Sequence, residues 1–145
     1  MPSSDHIANS EILIDAPIEK VWDALVNPEV IKKYMFGTTV ISDWTEGSKI
    51  FWQGEWKGKT YEDKGTILKI IPGRQLQYSH FSPLTGLEDS PENYHTVTIG
   101  LRESNNQTLV SLSQENNATE KEKEHSESNW KMMLTGLKEL LEKTN

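Results

Sequence analysis

The chain has 145 residues, of which 34% are hydrophobic and 26% are charged, and this composition favours one folded domain spanning residues 1–145 over a disordered chain. Its formal net charge of −7 disfavours nucleic acid and anionic membrane surfaces as partners. The absence of cysteine excludes disulfides, thiolate metal sites and cysteine nucleophiles.

The first elements are predicted to be a strand and two short helices. Residues 6–14 end in an apolar run and predict the strand. A helix follows, because apolar residues recur at the spacing of one helical face: Ile18, Val21, Trp22 and Leu25. Pro28 ends this helix and starts a second one, which carries Ile31 and Tyr34 inward and closes at Gly37.

An antiparallel sheet is predicted for the middle of the chain. Together with the first segment, about six or seven strands at short spacing are expected, separated by glycine, proline and asparagine turns. The later strands are predicted at residues 38–44, 48–56, 60–71, 74–82, 94–104 and 107–115.

The C-terminal region predicts one long helix. Asn117 followed by Glu120 resembles a capping box at its start. One apolar face is formed by Trp130, Met133, Leu134, Leu137 and Leu141. The resulting architecture is α+β, with the helix laid on the concave face of a curved sheet. A gap between helix and sheet is the candidate site.

Four segments resemble the START-like (SRPBCC) helix-grip superfamily, specifically its Aha1-type branch. They are APIEKVWDALVNPEVIKKY, GTILKIIPGRQLQYSH, QTLVSLSQEN and NWKMMLTGLKELLE, in the order in which the family has them. The resemblance implies a helix-grip domain over nearly the whole chain. It leaves the function open, because members of the superfamily bind lipids, sterols and polyketides, and some are cyclases. Two positions depart from the family pattern, with Tyr34 and His80 where other aromatic residues are usual.

The tryptophans and their neighbours allow two interpretations, a packed aromatic core or the wall of a ligand cavity. Alternation along the strands places Trp52, Tyr78 and His80 on the face toward the long helix, where Trp130 also lies. These side chains combine apolar bulk with polar tips, which is typical of a ligand cavity of roughly 300–1,000 Å³. Trp44 and Trp56 are expected nearer the rim.

We therefore predict an internal cavity that binds a small hydrophobic ligand, such as a lipid, polyketide or polyphenol. Tyr78, His80 and Tyr94 would orient its polar groups. The helices carrying Trp22 and Tyr34, together with the 82–93 loop, would form the gate. The predicted binding residues are Trp22, Tyr34, Met35, Trp52, Tyr78, His80, Tyr94, Trp130, Met133, Leu134 and Leu137.

Other functions remain open on the sequence alone. An enzyme of cyclase or aromatase type would use His80 or Glu55 for proton transfer at an enolisable substrate. The name of the branch suggests a chaperone-associated stress protein that docks through the charged stretch at residues 119–128. We expect no cofactor and no metal, since His80 and His95 without a third ligand make a poor metal site. The N-terminus lacks signal-peptide features, so a cytoplasmic location is expected, and the oligomeric state is left open.

Overall fold

The computed structural model describes residues 6–35, 37–56, 58–83 and 86–143, with the side chain of Trp56 left out. In chain order the elements are β1 (His6–Ile14), α1 (Ile18–Val26), α2 (Pro28–Tyr34), β2 (Thr39–Ser42), β3 (Lys49–Trp56), β4 (Lys59–Ile71), β5 (Gln75–His80), β6 (His95–Ser104), β7 (Gln107–Asn117) and α3 (Glu120–Lys143). A short 3-10 turn, Pro91–Asn93, precedes β6. The seven strands form one curved antiparallel sheet in the order β1-β7-β6-β5-β4-β3-β2. The predicted α+β helix-grip architecture is confirmed.

The corner between α1 and α2 is fixed by one side-chain hydrogen bond. The carbonyl of Ala24 lies at the end of α1, and the residue four positions on is Pro28, which has no N–H to donate. The buried Tyr34 hydroxyl donates to this carbonyl at 2.7 Å instead. Burial raises the pKa of the Tyr34 phenol far above its ordinary value, with a smaller contribution from Tyr78, so the hydroxyl stays a donor.

Close backbone contact between β4 and β5 requires a glycine. A Cβ added to Gly65 would lie 1.7 Å from the carbonyl oxygen of Ser79. A β-bulge between Ile67 and Lys69 follows on the same strand, and a bulge of this kind bends the strand that carries it.

The start of α3 corrects one sequence prediction. The helix begins at Glu120, and the Thr119 hydroxyl accepts the Glu122 backbone N–H at 3.1 Å, so Thr119 is its N-cap. Asn117 is the last residue of β7, where its side-chain amide donates to the His6 carbonyl at 2.7 Å. Its capacity for hydrogen bonding is used by tertiary contacts, so the expected capping box does not form.

The apolar face of α3 lies over β1 and against α2. Met133, Leu134, Leu137 and Leu141 on this face are buried, as predicted, whereas Trp130 is half-buried. This face and the inward residues of the strands form one continuous core. Among the described helices, none is both long and apolar enough to cross a membrane.

Polar side chains of α3 also bond to the backbone of β1, which is an edge strand. Glu127 accepts the N–H of Asn9 at 3.0 Å, and Lys138 donates to the carbonyl of Leu13 at 2.8 Å. Just after the strand, Glu142 accepts the N–H of Asp15 at 2.8 Å. The helix thereby satisfies backbone groups that no neighbouring strand pairs.

Candidate functional site

A transverse row of four side chains crosses the helix-facing side of the sheet. Trp52 on β3 lies directly opposite Asp63 on β4, and His80 on β5 lies opposite His95 on β6. A hydrogen bond between Asp63 and His80 joins the two pairs. The sheet register therefore brings three strands that carry a carboxylate or an imidazole, β4, β5 and β6, beside the ring of Trp52.

Asp63 and His80 form the polar centre of this row. The Asp63 Oδ2 atom lies 2.8 Å from His80 Nε2, with the two side chains 15% and 28% exposed. A carboxylate can only accept, so Nε2 carries the proton, and Nδ1 is then the acceptor of the neutral ring. The second carboxylate oxygen, Asp63 Oδ1, is buried and has no hydrogen-bond partner among the described residues.

His95 extends the row by one strand. Its Nδ1 donates to the carbonyl of Glu115 at 3.1 Å, which leaves Nε2 as the acceptor of the neutral ring. Burial lowers the pKa of His95, and the nearby His80 lowers it further, against opposing effects of the Glu115 carbonyl and of Glu122. The rings of His80 and His95 stack with centroids 6.4 Å apart.

Trp52 connects this polar row to the apolar core. Its ring lies 4.9 Å from His80 in an edge-on arrangement and 5.1 Å from Tyr78 in a tilted one. Both Trp52 and Tyr78 are buried, and burial raises the pKa of the Tyr78 phenol well above its ordinary value. The phenol is therefore neutral at physiological pH, so it is available as a donor.

A small cavity lies beside Trp52, between the sheet and the helices. Its volume is about 30 Å³, measured as the space open to the centre of a water molecule. That is room for little more than one water and far below the range predicted for a ligand cavity. Five of the predicted binding residues line it, namely Tyr34, Met35, Trp52, Tyr78 and Met133, together with Trp44.

The remaining predicted residues are placed elsewhere. Leu134 and Leu137 are fully buried in the core. Trp22 lines a separate hollow near the turn between β4 and β5. Trp130 donates its indole N–H to Gln114. The predicted position of Trp56 near the rim lies outside the described side chains, and Glu55 is exposed.

Tyr94 is predicted from the sequence to lie in the internal site, but it lies on the opposite face of the sheet. Its hydroxyl donates to Asp89 at 2.7 Å, and its ring stacks on Phe81 with centroids 5.1 Å apart. Lys64 also pairs with Asp89. These contacts attach the described part of the 82–93 loop to the outer face, whereas residues 84 and 85 of this proposed gate lie outside the described residues.

Asp63 is a functional candidate that the sequence reasoning missed, whereas His95 was considered there only as a weak metal ligand paired with His80. A signal for Asp63 was present, because counting outward from the hairpin turn between Trp56 and Lys59 pairs Asp63 with Trp52. The role of His95 depends on the register of β5 and β6 across a long loop, which the sequence does not determine.

Comparisons with known proteins agree with this architecture. The family model described as Activator of Hsp90 ATPase homolog 1-like protein matches residues 15–142. The solution structure of ChR145 from Cytophaga hutchinsonii is 64% identical, with 95% of this chain and 94% of that chain covered and a TM-score of 0.84. No match is found among curated proteins.

Two more distant structures share the fold. The Aha1 dimer from Colwellia psychrerythraea is 24% identical over 93% of this chain and 95% of its own, with a TM-score of 0.72. DynU16, from the dynemicin biosynthetic locus, is 16% identical over 96% of this chain and 48% of its own, with a TM-score of 0.79.

Proposed function

This chain belongs to the Activator of Hsp90 ATPase homolog 1-like family, within the START-like superfamily, and we propose that it binds a small, mainly apolar ligand between the sheet and α3. The ligand would carry one hydrogen-bond donor, an O–H or N–H group. Its apolar body would lie against Trp52 and Tyr78. The donor would bond to Asp63.

The observation that carries this proposal is Asp63 Oδ1, a buried oxygen with no partner in the part of the chain that the structure describes. A buried carboxylate oxygen without a partner costs free energy, and such a group in a folded protein calls for an explanation. Asp63 lies in the row that contains His80 and Trp52, so a ligand whose donor bonds to Asp63 would lie beside the Trp52 ring. Apolar bulk with one fixed donor matches lipid-like alcohols, polyketides and polyphenols.

Binding requires the 30 Å³ cavity to widen as far as Asp63, which is not among its lining residues. Met35 and Met133 line it, and unbranched thioether side chains change rotamer at low cost. Met35 follows α2 directly and is half-buried, so its movement exposes the cavity without unpacking the sheet. We place the entrance at the end of α2.

The experiment is a two-dimensional amide NMR titration with a matched pair of probes. 2-Naphthol carries the donor, whereas 2-methoxynaphthalene has a similar shape and none. We expect 2-naphthol to shift the Trp52 indole signal saturably and to bind about tenfold more tightly, as expected for one hydrogen bond to a charged group. Asp63→Asn would reduce this difference. Equal affinities, or no shift at Trp52 with either probe, would contradict the proposal.

A second candidate, proton transfer at an enolisable substrate, is favoured by the Asp63–His80 hydrogen bond. An aspartate on Nε2 fixes the ring so that Nδ1 can take a proton as a general base. The test is the exchange of the α-protons of 2-tetralone into deuterated water, followed by proton NMR. This candidate expects acceleration that is lost in His80→Gln, and exchange no faster than in buffer would remove it. No described contact favours a chaperone-associated role, which rests on the family name.

A further inference from the structure

The chain's two arginines, Arg74 and Arg102, lie at the same hollow on the surface. This arginine hollow has a volume of about 560 Å³ and shares no lining residue with the cavity beside Trp52. We propose that it binds a small zwitterion of the amino-acid class with an apolar or aromatic side chain. The lining groups used are Glu19 and Trp22 of α1, Arg74, and Leu101, Arg102 and Glu103 of β6.

The sheet holds the backbones of the two arginines close together, and both residues line the hollow. The backbone N–H of Leu101 donates to the carbonyl of Arg74 at 2.8 Å, so Arg74 lies next to the residue that precedes Arg102. Both arginines are exposed, and neither is in an ion pair with another described residue. The planar fork of arginine fits a carboxylate with two parallel hydrogen bonds.

Two carboxylates balance these charges. Glu19 comes from the first turn of α1 and Glu103 from the end of β6, and both line the hollow and are exposed. The two arginines would attract a simple anion, but the two glutamates beside them would repel it. A molecule that carries a carboxylate and an ammonium group can pair with both kinds of side chain.

Trp22 supplies the surface for the rest of the ligand. Its ring is half-buried against the core, and the buried Leu101 lies in the same lining. The volume falls in the range of small-molecule sites, and one face is apolar while the rim is charged. An aromatic amino acid would place its ring on Trp22 and its two charged groups at the rim.

The experiment compares three probes that differ in one charged group each. Phenylalanine has both groups, 3-phenylpropanoate lacks the ammonium and 2-phenylethylamine lacks the carboxylate. We expect phenylalanine to shift the Trp22 indole signal with a dissociation constant at least about threefold below those of the other two probes, since exposed ion pairs contribute modestly. Equal affinity for phenylalanine and 3-phenylpropanoate would overturn the zwitterion proposal, as would the absence of a saturable shift.

Variants test three of the four charged side chains. Arg74→Gln and Arg102→Gln should each weaken phenylalanine binding about threefold, and Glu19→Gln should do the same. The exposed Lys131 on α3 provides the matched control, because Lys131→Gln removes a positive charge that does not line the hollow and should leave binding unchanged. The proposal is wrong if Glu19→Gln binds phenylalanine as tightly as the parent chain does. It is also wrong if Lys131→Gln loses as much affinity for phenylalanine as the arginine variants.

Discussion

The indole N–H of Trp130 on α3 donates to Oε1 of Gln114 on β7 at 2.6 Å. The amide nitrogen of the same Gln114 donates to Asn117 at 3.0 Å and to Ser126 at 3.3 Å. Gln114 is buried, so the indole is one member of a polar cluster that holds the helix to the sheet. The hydrogen bond of Trp130 therefore stabilises the packing of α3 on the sheet.

Trp130→Phe should lower the free energy of unfolding by about 1–3 kcal/mol, because it leaves the buried Gln114 oxygen without its donor. Urea unfolding measures the change. The affinity for 2-naphthol should not change, since the site is assigned to Trp52. Met132→Leu, on the exposed side of the same helix, is the control and should stay within about 0.5 kcal/mol of the parent chain. A large loss of 2-naphthol affinity in Trp130→Phe would restore Trp130 to the ligand site.

Tyr34→Phe should destabilise the fold by about 1–2 kcal/mol. The substitution keeps the ring and removes the hydroxyl, so the Ala24 carbonyl loses its donor, and Pro28 has no N–H to replace it. Thermal unfolding followed by circular dichroism measures the effect. An unchanged midpoint would show that the hydrogen bond at this corner contributes no net stability.

Gly65→Ala should cost more than about 3 kcal/mol or prevent folding, because the new Cβ would overlap the Ser79 carbonyl oxygen. Gly100→Ala is the matched control in the same sheet, since a Cβ there meets no heavy atom within 4 Å. Alanine at position 100 should be neutral or stabilising by up to about 1 kcal/mol. Similar unfolding midpoints in urea for the two variants would contradict the predicted contact between β4 and β5.

His95 should make stability depend on pH below neutrality. Its pKa is lowered in the fold, so the unfolded chain binds the proton more readily. The stabilisation is therefore complete above the unfolded pKa of about 6.5 and is lost as pH falls through the lower folded value. His95→Gln should flatten the dependence between about pH 7.5 and 5.5, measured by urea unfolding. The exposed His125 offers the control, and equal slopes for His95→Gln and the parent chain would refute the assignment.

The order of elements could be predicted because each is encoded locally. The hairpin between β6 and β7 is one example, since Asn105 and Asn106 both adopt the positive φ that this tight turn requires and asparagine tolerates. The α1 face is another, with its apolar residues at helical spacing. Periodicity and turn chemistry act over a few residues, so the sequence displays them directly.

The candidate site was predictable only where register followed from a short turn. Trp52, Tyr78 and His80 were assigned to the correct face by alternation, but the partner of His80 is set by a bulged strand. The hydrogen bond from Trp130 to Gln114 joins α3 to β7 and has no signal in the local sequence. Trp130 was therefore predicted to contact the ligand instead. The cavity volume depends on how all the side chains around Trp52 fill space together, which no single segment specifies.

The bonds from Glu127 and Lys138 to the backbone of β1, and from Glu142 to Asp15 just after it, have a consequence for the chain during its synthesis. Until α3 has emerged from the ribosome, these N–H and C=O groups are open to any extended peptide nearby. β1 also waits for β7, its neighbour in the sheet, which lies about a hundred residues later. A chain that stalls or is cut before α3 therefore exposes β1 as an unprotected edge strand, and we expect such fragments to aggregate through it.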